Sequence, residues 1–412
     1  MIFYNIFLVV FRISAFVASA FSHKARLWRK GRKHLFTKLG QMISPGGQVI
    51  WVHCASLGEF EQGRPLMEEI RKKYPSSRLL LSFFSPSGYE VQKGYNGADW
   101  VIYMPLDGPR TAKRFLEIVK PRLVIFIKYE FWFYYLKKIK YRGIPLLLVS
   151  AYFRENMNFF KWHGSLQRKM LSRFDQLFVQ DEHSKQLLDK IGFSEITTVS
   201  GDTRFDRVIQ IADEAQSIPV VEKFIGSSIC LVAGSSWPGD EKLLAETFAG
   251  DTGMKVKLII APHEVDETHL AEIEKLFPGA TRFSSPDHSK NVMIIDNIGL
   301  LARLYKYGTM CYVGGGLHPG GVHNVLEAAV YGKVVFFGTN HQKYREAVGL
   351  AASGGGIVIT CSEELSQQME KLLNESPYRK ELEHRSREYV ARQAGATSKV
   401  VDYIQEKRLL TS

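Results

Sequence analysis

Short apolar runs rich in β-branched residues alternate with helix-like patterns from residue 49 onward. The first series of runs lies at 49–53, 79–84, 100–104, 123–127, 146–149, 177–179 and 197–199. A second series lies at 230–233, 256–261, 292–295, 310–313, 334–337 and 357–359. Such alternation is typical of βαβ units, which build parallel sheets covered by helices on both faces. The pattern therefore predicts two doubly wound α/β domains.

A polar stretch without strand character separates the two series and ends at Pro219, so we place the interdomain link there. The predicted division is an N-terminal segment at 1–40, a Rossmann-like domain at 41–205, a link at 206–218, a second Rossmann-like domain at 219–395 and a C-terminal helix at 396–412. The composition after Ser362 indicates two or three helices. We expect the two domains to face each other across a cleft at the carboxyl ends of their strands, where such sheets bind ligands.

The first 21 residues are apolar apart from Asn5, Arg12 and a few serines. A basic cluster around Trp28 follows them and consists of Lys24, Arg26, Arg29, Lys30, Arg32, Lys33 and Lys38. A cleaved signal peptide has the opposite order, with its positive charge before the apolar stretch. The order seen here predicts a retained anchor whose basic flank lies against anionic headgroups on the cytoplasmic side of the membrane. A spanning helix, a helix lying in the bilayer and a helix folded onto the protein remain alternatives.

Composition narrows the class of partner. The net charge of +12 and the pI near 9.3 indicate an anionic partner, which could be nucleic acid, a membrane surface or a phosphorylated substrate. The sequence contains no RNA-binding signature, zinc-ligand spacing or long basic tail, so we do not expect nucleic acid as a partner. The four cysteines lie far apart in the sequence, which predicts free thiols without a disulfide or a metal.

The segment 314–332, GGGLHPGGVHNVLEAAVYG, follows an apolar run and carries the strongest functional signal. His323 opens a stretch of helix formers, so free loop N–H groups and a helix dipole would face a phosphate. Asn324 and Glu327 would lie on the same side, where the carboxylate can accept hydrogen bonds from ribose hydroxyls. The segment therefore predicts a nucleotide site, with a glycine-rich turn that only packs a helix against a sheet as the alternative.

Small residues and acids follow the runs of the first domain. Glu59 is either an ordinary first-turn glutamate or a general base aimed into the cleft, and Glu130 is a second acid at the same rim. The candidate acceptor or anion contacts are Ser56, Gly58, Ser87, Gly88 and Arg204. Arg204 could neutralise a carboxylate or phosphate, with an ordinary surface arginine as the alternative.

Loops of the second domain add candidates for a nucleotide. Ser235 and Ser236 follow its first run and can offer hydroxyl groups, whereas His263 follows its second run. His263 could meet a base or a phosphate, although a lone histidine is more often structural.

These loops together resemble those of the Kdo transferases, bacterial enzymes that attach 3-deoxy-D-manno-octulosonic acid (Kdo) to lipid A precursors. The resemblance runs over nearly the whole chain. Its motifs are S-x-G-E at 56–59, P-x-G at 86–88, E-F-W at 130–132, G-x-x-[KR]-F-D at 201–206 and GG-x-x-x-x-GG-x-HN-x-x-E at 315–327.

The resemblance implies a glycosyltransferase of the two-Rossmann-domain type, GT-B, at the cytoplasmic face of the inner membrane in lipopolysaccharide biosynthesis. It implies an inverting transfer from CMP-Kdo to a lipid A precursor without a metal or other cofactor, with Glu59 as the general base and Glu130 as a second catalytic residue. The implied donor contacts are Ser235, Ser236, His263, Gly315, Gly316, Gly320, Gly321, His323, Asn324 and Glu327.

Two other functions remain open from the residues alone. The two-domain scaffold and its phosphate loop would serve a UDP-sugar-dependent glycosyltransferase or epimerase equally well. A membrane-bound nucleotide-binding protein without turnover is the second alternative.

Overall fold

The computed structural model of the protein describes residues 2–43, 46–250 and 255–411. The predicted N-terminal segment and C-terminal helix include Met1 and Ser412, which are not among the described residues. The chain divides into two compact units: unit 1 comprises Met1–Arg207 with Ala394–Ser412, and unit 2 comprises Val208–Gln393.

Unit 1 contains a parallel sheet whose strand order is β3-β2-β1-β4-β5-β6-β7. Its strands are β1 Val49–Cys54, β2 Arg78–Phe83, β3 Trp100–Tyr103, β4 Leu123–Ile127, β5 Leu146–Ala151, β6 Gln176–Val179 and β7 Thr197–Val199. Every residue of β1, β4 and β5 is buried, as expected for parallel strands that are covered on both faces. The strand order reverses between β1 and β4.

Helices of unit 1 include three at the N-terminus, α1 Ile2–Phe21, α2 His23–Gly31 and α3 Leu35–Met42. The following helices are α4 Leu57–Lys73, α5 Pro86–Gln92, α6 Pro109–Val119, α7 Phe133–Tyr141, α8 Ser165–Leu171 and α9 Glu182–Asp189. The next helix, α10 Thr203–Asp213, begins in unit 1 and continues into unit 2 after Arg207. Short 3₁₀ helices occupy Asn158–Phe160 and Ser194–Ile196.

Unit 2 contains a second parallel sheet, in the order β10-β11-β9-β8-β12-β13-β14. Its strands are β8 Cys230–Ser236, β9 Lys257–Pro262, β10 Thr281–Arg282, β11 Val292–Ile294, β12 Met310–Val313, β13 Val334–Phe337 and β14 Gly356–Val358. The order reverses between β8 and β12.

Helices of unit 2 cover both faces of this sheet. They are α11 Pro219–Ile225, α12 Pro238–Phe248, α13 Glu267–Leu276, α14 Leu301–Leu304, α15 Leu326–Ala329, α16 Arg345–Ser353, α17 Ser362–Asn374 and α18 Ser376–Gln393, with a 3₁₀ helix at Tyr305–Tyr307. The last helix of the chain, α19 Ala396–Glu406, belongs to unit 1 and buries Val400, Val401 and Ile404 in its core.

The predicted runs correspond to thirteen of the strands in the described residues, most of them within two residues of the predicted ends. The strand β10 was not predicted, because it has only two residues, which pair with Met293 and Ile294 of β11. The prediction of two or three helices after Ser362 is confirmed by α17, α18 and α19.

Candidate functional site

Two acids of unit 1 follow the adjacent strands between which the strand order reverses. Glu59 lies in the first turn of α4, directly after β1, and Glu130 follows β4. Since β1 and β4 pair in parallel, with His53 opposite Phe126, their carboxyl ends lie at the same edge of the sheet. Ligands of doubly wound sheets bind at this reversal point.

Glu59 is half-buried at the start of α4, and Ser56, the N-cap residue, donates a hydrogen bond from its hydroxyl to the Glu59 carboxylate. The position of Glu59 is therefore compatible with both predicted alternatives, because the residue belongs to the first helical turn and also lies at the carboxyl edge of the sheet. Its neighbour Gly58 is exposed, and a methyl group there would have 3.9 Å to its nearest neighbour, the Ser56 hydroxyl. Packing within unit 1 therefore does not require a glycine at position 58.

Glu130 is buried and ends a chain of hydrogen bonds that crosses the sheet. One of its carboxylate oxygens accepts from His53 Nε2 at 2.9 Å and also from the Trp132 indole N–H. On the other side of the imidazole, His53 Nδ1 lies 2.8 Å from the Ser82 hydroxyl, which accepts from the Trp51 indole at 2.7 Å.

A carboxylate can only accept, so His53 Nε2 carries a proton and donates it to Glu130. The Ser82 hydroxyl accepts from the Trp51 indole. The Nδ1 atom of the fully buried His53 contacts both this hydroxyl and the Ser82 carbonyl oxygen, which lies 3.0 Å away. The network fixes the Glu130 carboxylate, and it therefore suits a positioning or electrostatic role.

The loop after β2 supplies the predicted Ser87 and Gly88. Ser87 is exposed in the first turn of α5, and its hydroxyl lies 2.9 Å from that of the N-cap residue Ser85. Gly88 is buried against the Phe83 ring, where a Cβ atom would come within 2.2 Å of a ring carbon. The glycine at this position is therefore explained by packing rather than by a ligand.

Arg204 is held by a neighbouring acid. Its guanidinium forms an ion pair with Asp202 at 2.7 Å, and the side chain is 29% exposed. Although burial favours the neutral form of Asp202, the Arg204 charge lowers the pKa of that carboxyl below its ordinary value. An anionic ligand at Arg204 would have to compete with this carboxylate.

In unit 2, four aromatic rings from three loops form a continuous stack at the reversal point of the sheet. Trp237, after β8, stacks on His318 at 4.3 Å between ring centroids and on His263 at 4.8 Å. His263, after β9, also stacks on His323 at 4.4 Å. The exposed ring of His263 offers a flat surface at the carboxyl edge.

The Trp237 indole fixes the protonation of His323. It donates from Nε1 to His323 Nε2 at 2.9 Å, so the neutral imidazole carries its own proton on Nδ1. Burial, followed by the nearby His263 and His318, lowers the pKa of His323 to about 4. His323 is therefore a neutral hydrogen-bond donor at physiological pH.

Asp240 connects the loops that follow β8 and β12. Its buried carboxylate accepts from the N–H groups of Gly315 at 2.8 Å and Trp237 at 3.0 Å and from the Tyr312 hydroxyl at 2.7 Å. Burial raises the pKa of Asp240 above its ordinary value, against the effect of these hydrogen bonds. The carboxylate thus fixes the glycine-rich loop to the start of α12.

The glycine-rich loop differs from its predicted form in two respects. The helix that follows, α15, is a single turn that begins at Leu326, so His323 and Asn324 precede it, and the predicted helix-dipole contribution is wrong. The loop N–H groups are also largely occupied within unit 2. Those that donate to protein acceptors are the N–H groups of Gly314, Gly315, His318, Gly320, Gly321, Val322 and His323.

Close backbone packing explains part of the glycine content. A Cβ atom on Gly316 would lie 2.3 Å from the backbone nitrogen of Gly338, which follows β13, and Gly315 and Gly321 have positive φ angles of 86° and 88°. Because most of the main chain is used in this way, side chains are the main candidate contacts for an anion at this loop.

Of the residues His323, Asn324 and Glu327, which were predicted to lie on one side of a helix, the last two are in contact. Asn324 donates from Nδ2 to the Glu327 carboxylate at 3.1 Å, so these two side chains do lie together.

Ser236 is fully buried, and its hydroxyl donates to Glu241 at 2.8 Å, which leaves the predicted ligand contact of Ser236 without support. Ser235 has a φ of +52° at an irregularity between β8 and β9, and such strained residues are frequent at functional sites.

The N-terminal helix α1 packs on unit 1 through one stripe. Tyr4 donates to Asp107 at 2.7 Å, Leu8 is buried and Phe11 contacts Phe84. The opposite stripe is apolar and exposed, and only 11% of the most apolar part of the helix is buried. Of the basic residues that follow, Arg32 points inward, donating to the carbonyl groups of residues 84 and 104, so it was wrongly included in the predicted lipid-facing cluster.

Several residues of these sites were not predicted. His53 lies inside an apolar run, and its position indicates a core residue. Trp237 and His318 are distant in sequence and come into contact only in the folded structure. Asp240 had a recognisable signal, because an acid three residues after an N-cap position commonly binds the N-cap N–H. Among the described residues, no group of three or more His, Cys, Asp or Glu side chains is arranged to hold a metal ion.

The sequence is similar to those of known proteins. The family described as 3-deoxy-D-manno-octulosonic-acid transferase (kdotransferase) matches residues 28–207. A 3-deoxy-D-manno-octulosonic acid transferase of Aquifex aeolicus is 29% identical over 331 residues, which cover 79% of this chain and 86% of that relative. The protein of the same name from Haemophilus influenzae is 23% identical over 402 residues, covering 93% of each chain.

The chain is a homologue of the Kdo transferases.

The resemblance inferred from the loop motifs is thereby confirmed, and a role as a Kdo glycosyltransferase in lipopolysaccharide synthesis follows at this level. Among solved structures, a UDP-GlcNAc 2-epimerase from Neisseria meningitidis has a TM-score of 0.62 and 16% sequence identity, with 87% of this chain and all of that chain covered. This likeness concerns the fold alone and confirms the GT-B class.

Proposed function

We propose that the protein transfers Kdo from CMP-Kdo to a hydroxyl group of a lipid A precursor, with inversion at the anomeric carbon and Glu59 as the general base. The observation that carries this proposal is the position of Glu59. It lies at the carboxyl end of the interior strand β1, oriented by the Ser56 hydroxyl, in the part of the chain that matches the Kdo transferase family.

The proposed chemistry is a single displacement. The acceptor hydroxyl oxygen forms a bond to the anomeric carbon while the bond from that carbon to the CMP phosphate breaks, and its electron pair leaves with CMP. Glu59 takes the hydroxyl proton, which makes the oxygen a stronger nucleophile. Glu130, fixed by His53 and Trp132, positions the acceptor by accepting a hydrogen bond from a second hydroxyl group.

We assign donor binding to unit 2. Glu327 accepts hydrogen bonds from the ribose hydroxyls, and the His323 Nδ1–H donates to the phosphate or to the Kdo carboxylate. A neutral donor suits the departing phosphate, because it stabilises developing charge without requiring a proton from solvent. The exposed ring of His263 provides a stacking surface for the cytosine base.

We also propose that the protein acts at the membrane surface through α1. A helix whose inner stripe packs on unit 1 cannot bury that stripe in lipid, so α1 lies in the interface with its exposed apolar stripe in the bilayer. Exposed basic side chains of α2, such as Lys24 and Lys30, would face anionic headgroups on the cytoplasmic side. Sedimentation with phosphatidylglycerol vesicles would test this: binding should persist at high salt but vanish when α1 is deleted.

The test of the transfer uses purified protein in detergent, a lipid A precursor with a free hydroxyl, and either CMP-Kdo or UDP-sugars as donors. The proposal predicts a mass gain of the acceptor only with CMP-Kdo, unaffected by EDTA. A gain only with UDP-sugars would replace the proposed donor, and nucleotide binding without any mass gain would favour the non-catalytic alternative.

A further inference from the structure

A groove of about 390 Å³ lies in unit 1 between α1, α2 and the loop that follows β2. Its walls are mainly apolar and include Ala15 and Ala18 of α1, Trp28 of α2, and Phe84 and Pro86 of the loop. The volume falls within the range of about 300–1,000 Å³ that is usual for small-molecule pockets. A groove of this chemistry suits a hydrocarbon chain rather than a nucleotide or a sugar.

One end of the groove is connected to the acidic site by packed aromatic rings. Phe84 in its wall packs on Trp132, with ring centroids 4.9 Å apart, and Trp132 donates its indole N–H to Glu130. A chain lying in the groove would therefore extend from the neighbourhood of the proposed catalytic residues.

The other side of the groove adjoins the exposed apolar stripe of α1. Ala18 is itself exposed, and its neighbours Val17 and Phe21 on the helix are 53% and 88% exposed. Small side chains at Ala15 and Ala18 leave the groove open, since larger ones would fill it. Lys24 lines the rim and carries a positive charge where a lipid phosphate would lie.

We propose that this groove binds one acyl chain of the lipid acceptor and thereby holds the acceptor sugar at the acids of unit 1. The inference rests on the proposed function, because it takes the acceptor to be an acylated sugar phosphate. Three observations support this occupant over a soluble ligand: the apolar walls, the cationic rim, and the continuity of the groove with the stripe proposed to enter the bilayer.

A direct test of occupancy does not depend on turnover. The wild-type protein in detergent is photolabelled with a lipid A precursor whose acyl chain carries a diazirine, and the labelled peptides are identified by mass spectrometry. The proposal predicts labels at Trp28 and at Phe84, suppressed by unlabelled acylated precursor but not by the same disaccharide phosphate without acyl chains. Labels confined to the outer stripe of α1, or labels suppressed equally by a bilayer phospholipid, would overturn it.

A kinetic test fills the groove. Ala18→Trp, at an exposed position that tolerates a large ring, and Ala15→Trp should raise KM for the acylated acceptor by roughly 10- to 100-fold through displaced methylene contacts. KM for the deacylated acceptor should stay unchanged. The control is Val91→Trp, a substitution to the same residue at a 62% exposed position of α5 that does not line the groove, which should leave both values unchanged.

The outcomes separate this inference from the function on which it rests. If wild-type protein transfers Kdo but Ala18→Trp affects acylated and deacylated acceptors alike, the groove does not bind the chain. If wild-type protein transfers to neither acceptor, the proposed function fails, whereas the photolabelling result still decides what the groove holds.

Discussion

The hydrogen-bond chain that ends at Glu130 can be cut on either side of His53. Asparagine at position 53 places its amide where the imidazole Nδ1 lies and keeps a contact with Ser82, but it does not reach Glu130. Glutamine places its amide where Nε2 lies and keeps the donor to Glu130, but it loses Ser82. The two substitutions therefore separate stability from the positioning of the acid.

Magnitudes follow from the bonds that each variant loses. His53→Asn removes a hydrogen bond to a carboxylate, which is worth about 1.5–3 kcal/mol. His53→Gln loses the contact with the Ser82 hydroxyl, which still accepts from Trp51, so the cost is that of one hydrogen bond, about 0.5–1.5 kcal/mol. The losses of unfolding free energy expected for the two variants therefore overlap. Their activities should differ, because only His53→Asn releases Glu130, and a misplacement of about 1 Å can reduce a rate by ~10²-fold.

The assays are urea unfolding followed by circular dichroism, and Kdo transfer measured as product mass at saturating donor. His53→Asn should lower kcat/KM for the acceptor by roughly 10- to 100-fold, with His53→Gln close to the wild type. The argument is refuted if the two variants have the same activity at the same stability, because His53 would then act only as a core residue.

Three further predictions concern His323, Trp237 and Gly58. For His323, whose pKa is lowered to about 4 from an ordinary 6.5, the unfolded chain binds a proton before the folded protein does. Stability should therefore fall as the pH drops from 6.5 to 4, by about 1–2 kcal/mol after allowance for partial exposure. Trp237→Phe keeps the ring stack but removes the donor to His323 Nε2, so the pKa of His323, read by NMR titration, should rise; an unchanged value would contradict the assigned tautomer. Gly58→Ala should fold normally, with a gain of up to ~0.5 kcal/mol, yet lose at least ~10-fold in activity if substrate approaches the backbone there. Gly40→Ala, in α3 with open space around it, is the matched control and should leave activity unchanged.

The sheets were predictable from the sequence because buried parallel strands leave continuous apolar runs, and the loops after those runs contain the candidate residues. Glu59 and Glu130 could be predicted to share an edge, since the carboxyl ends of adjacent parallel strands must lie together. The strand β10 could not be predicted, because two residues carry no periodicity.

The character of the sites was harder to predict, because it depends on contacts between distant residues. Trp237 meets His318 and His323 across more than 80 positions of sequence, and no local pattern encodes that stack. The occupied N–H groups of the glycine-rich loop depend on acceptors such as Asp240, which are visible only in the fold. A glycine-rich sequence indicates close backbone packing as readily as an anion site.

The central claim, that Glu59 is the base in Kdo transfer, is tested most directly by turnover of Glu59→Gln with CMP-Kdo and a lipid A precursor. The matched control is Glu69→Gln, an acid of the same helix whose 3.7 Å pair with Lys72 lies at the surface. We predict a fall in kcat of about 10²- to 10⁴-fold for Glu59→Gln, with donor affinity kept and the control unchanged. Equal turnover of Glu59→Gln and the wild-type protein would contradict the account.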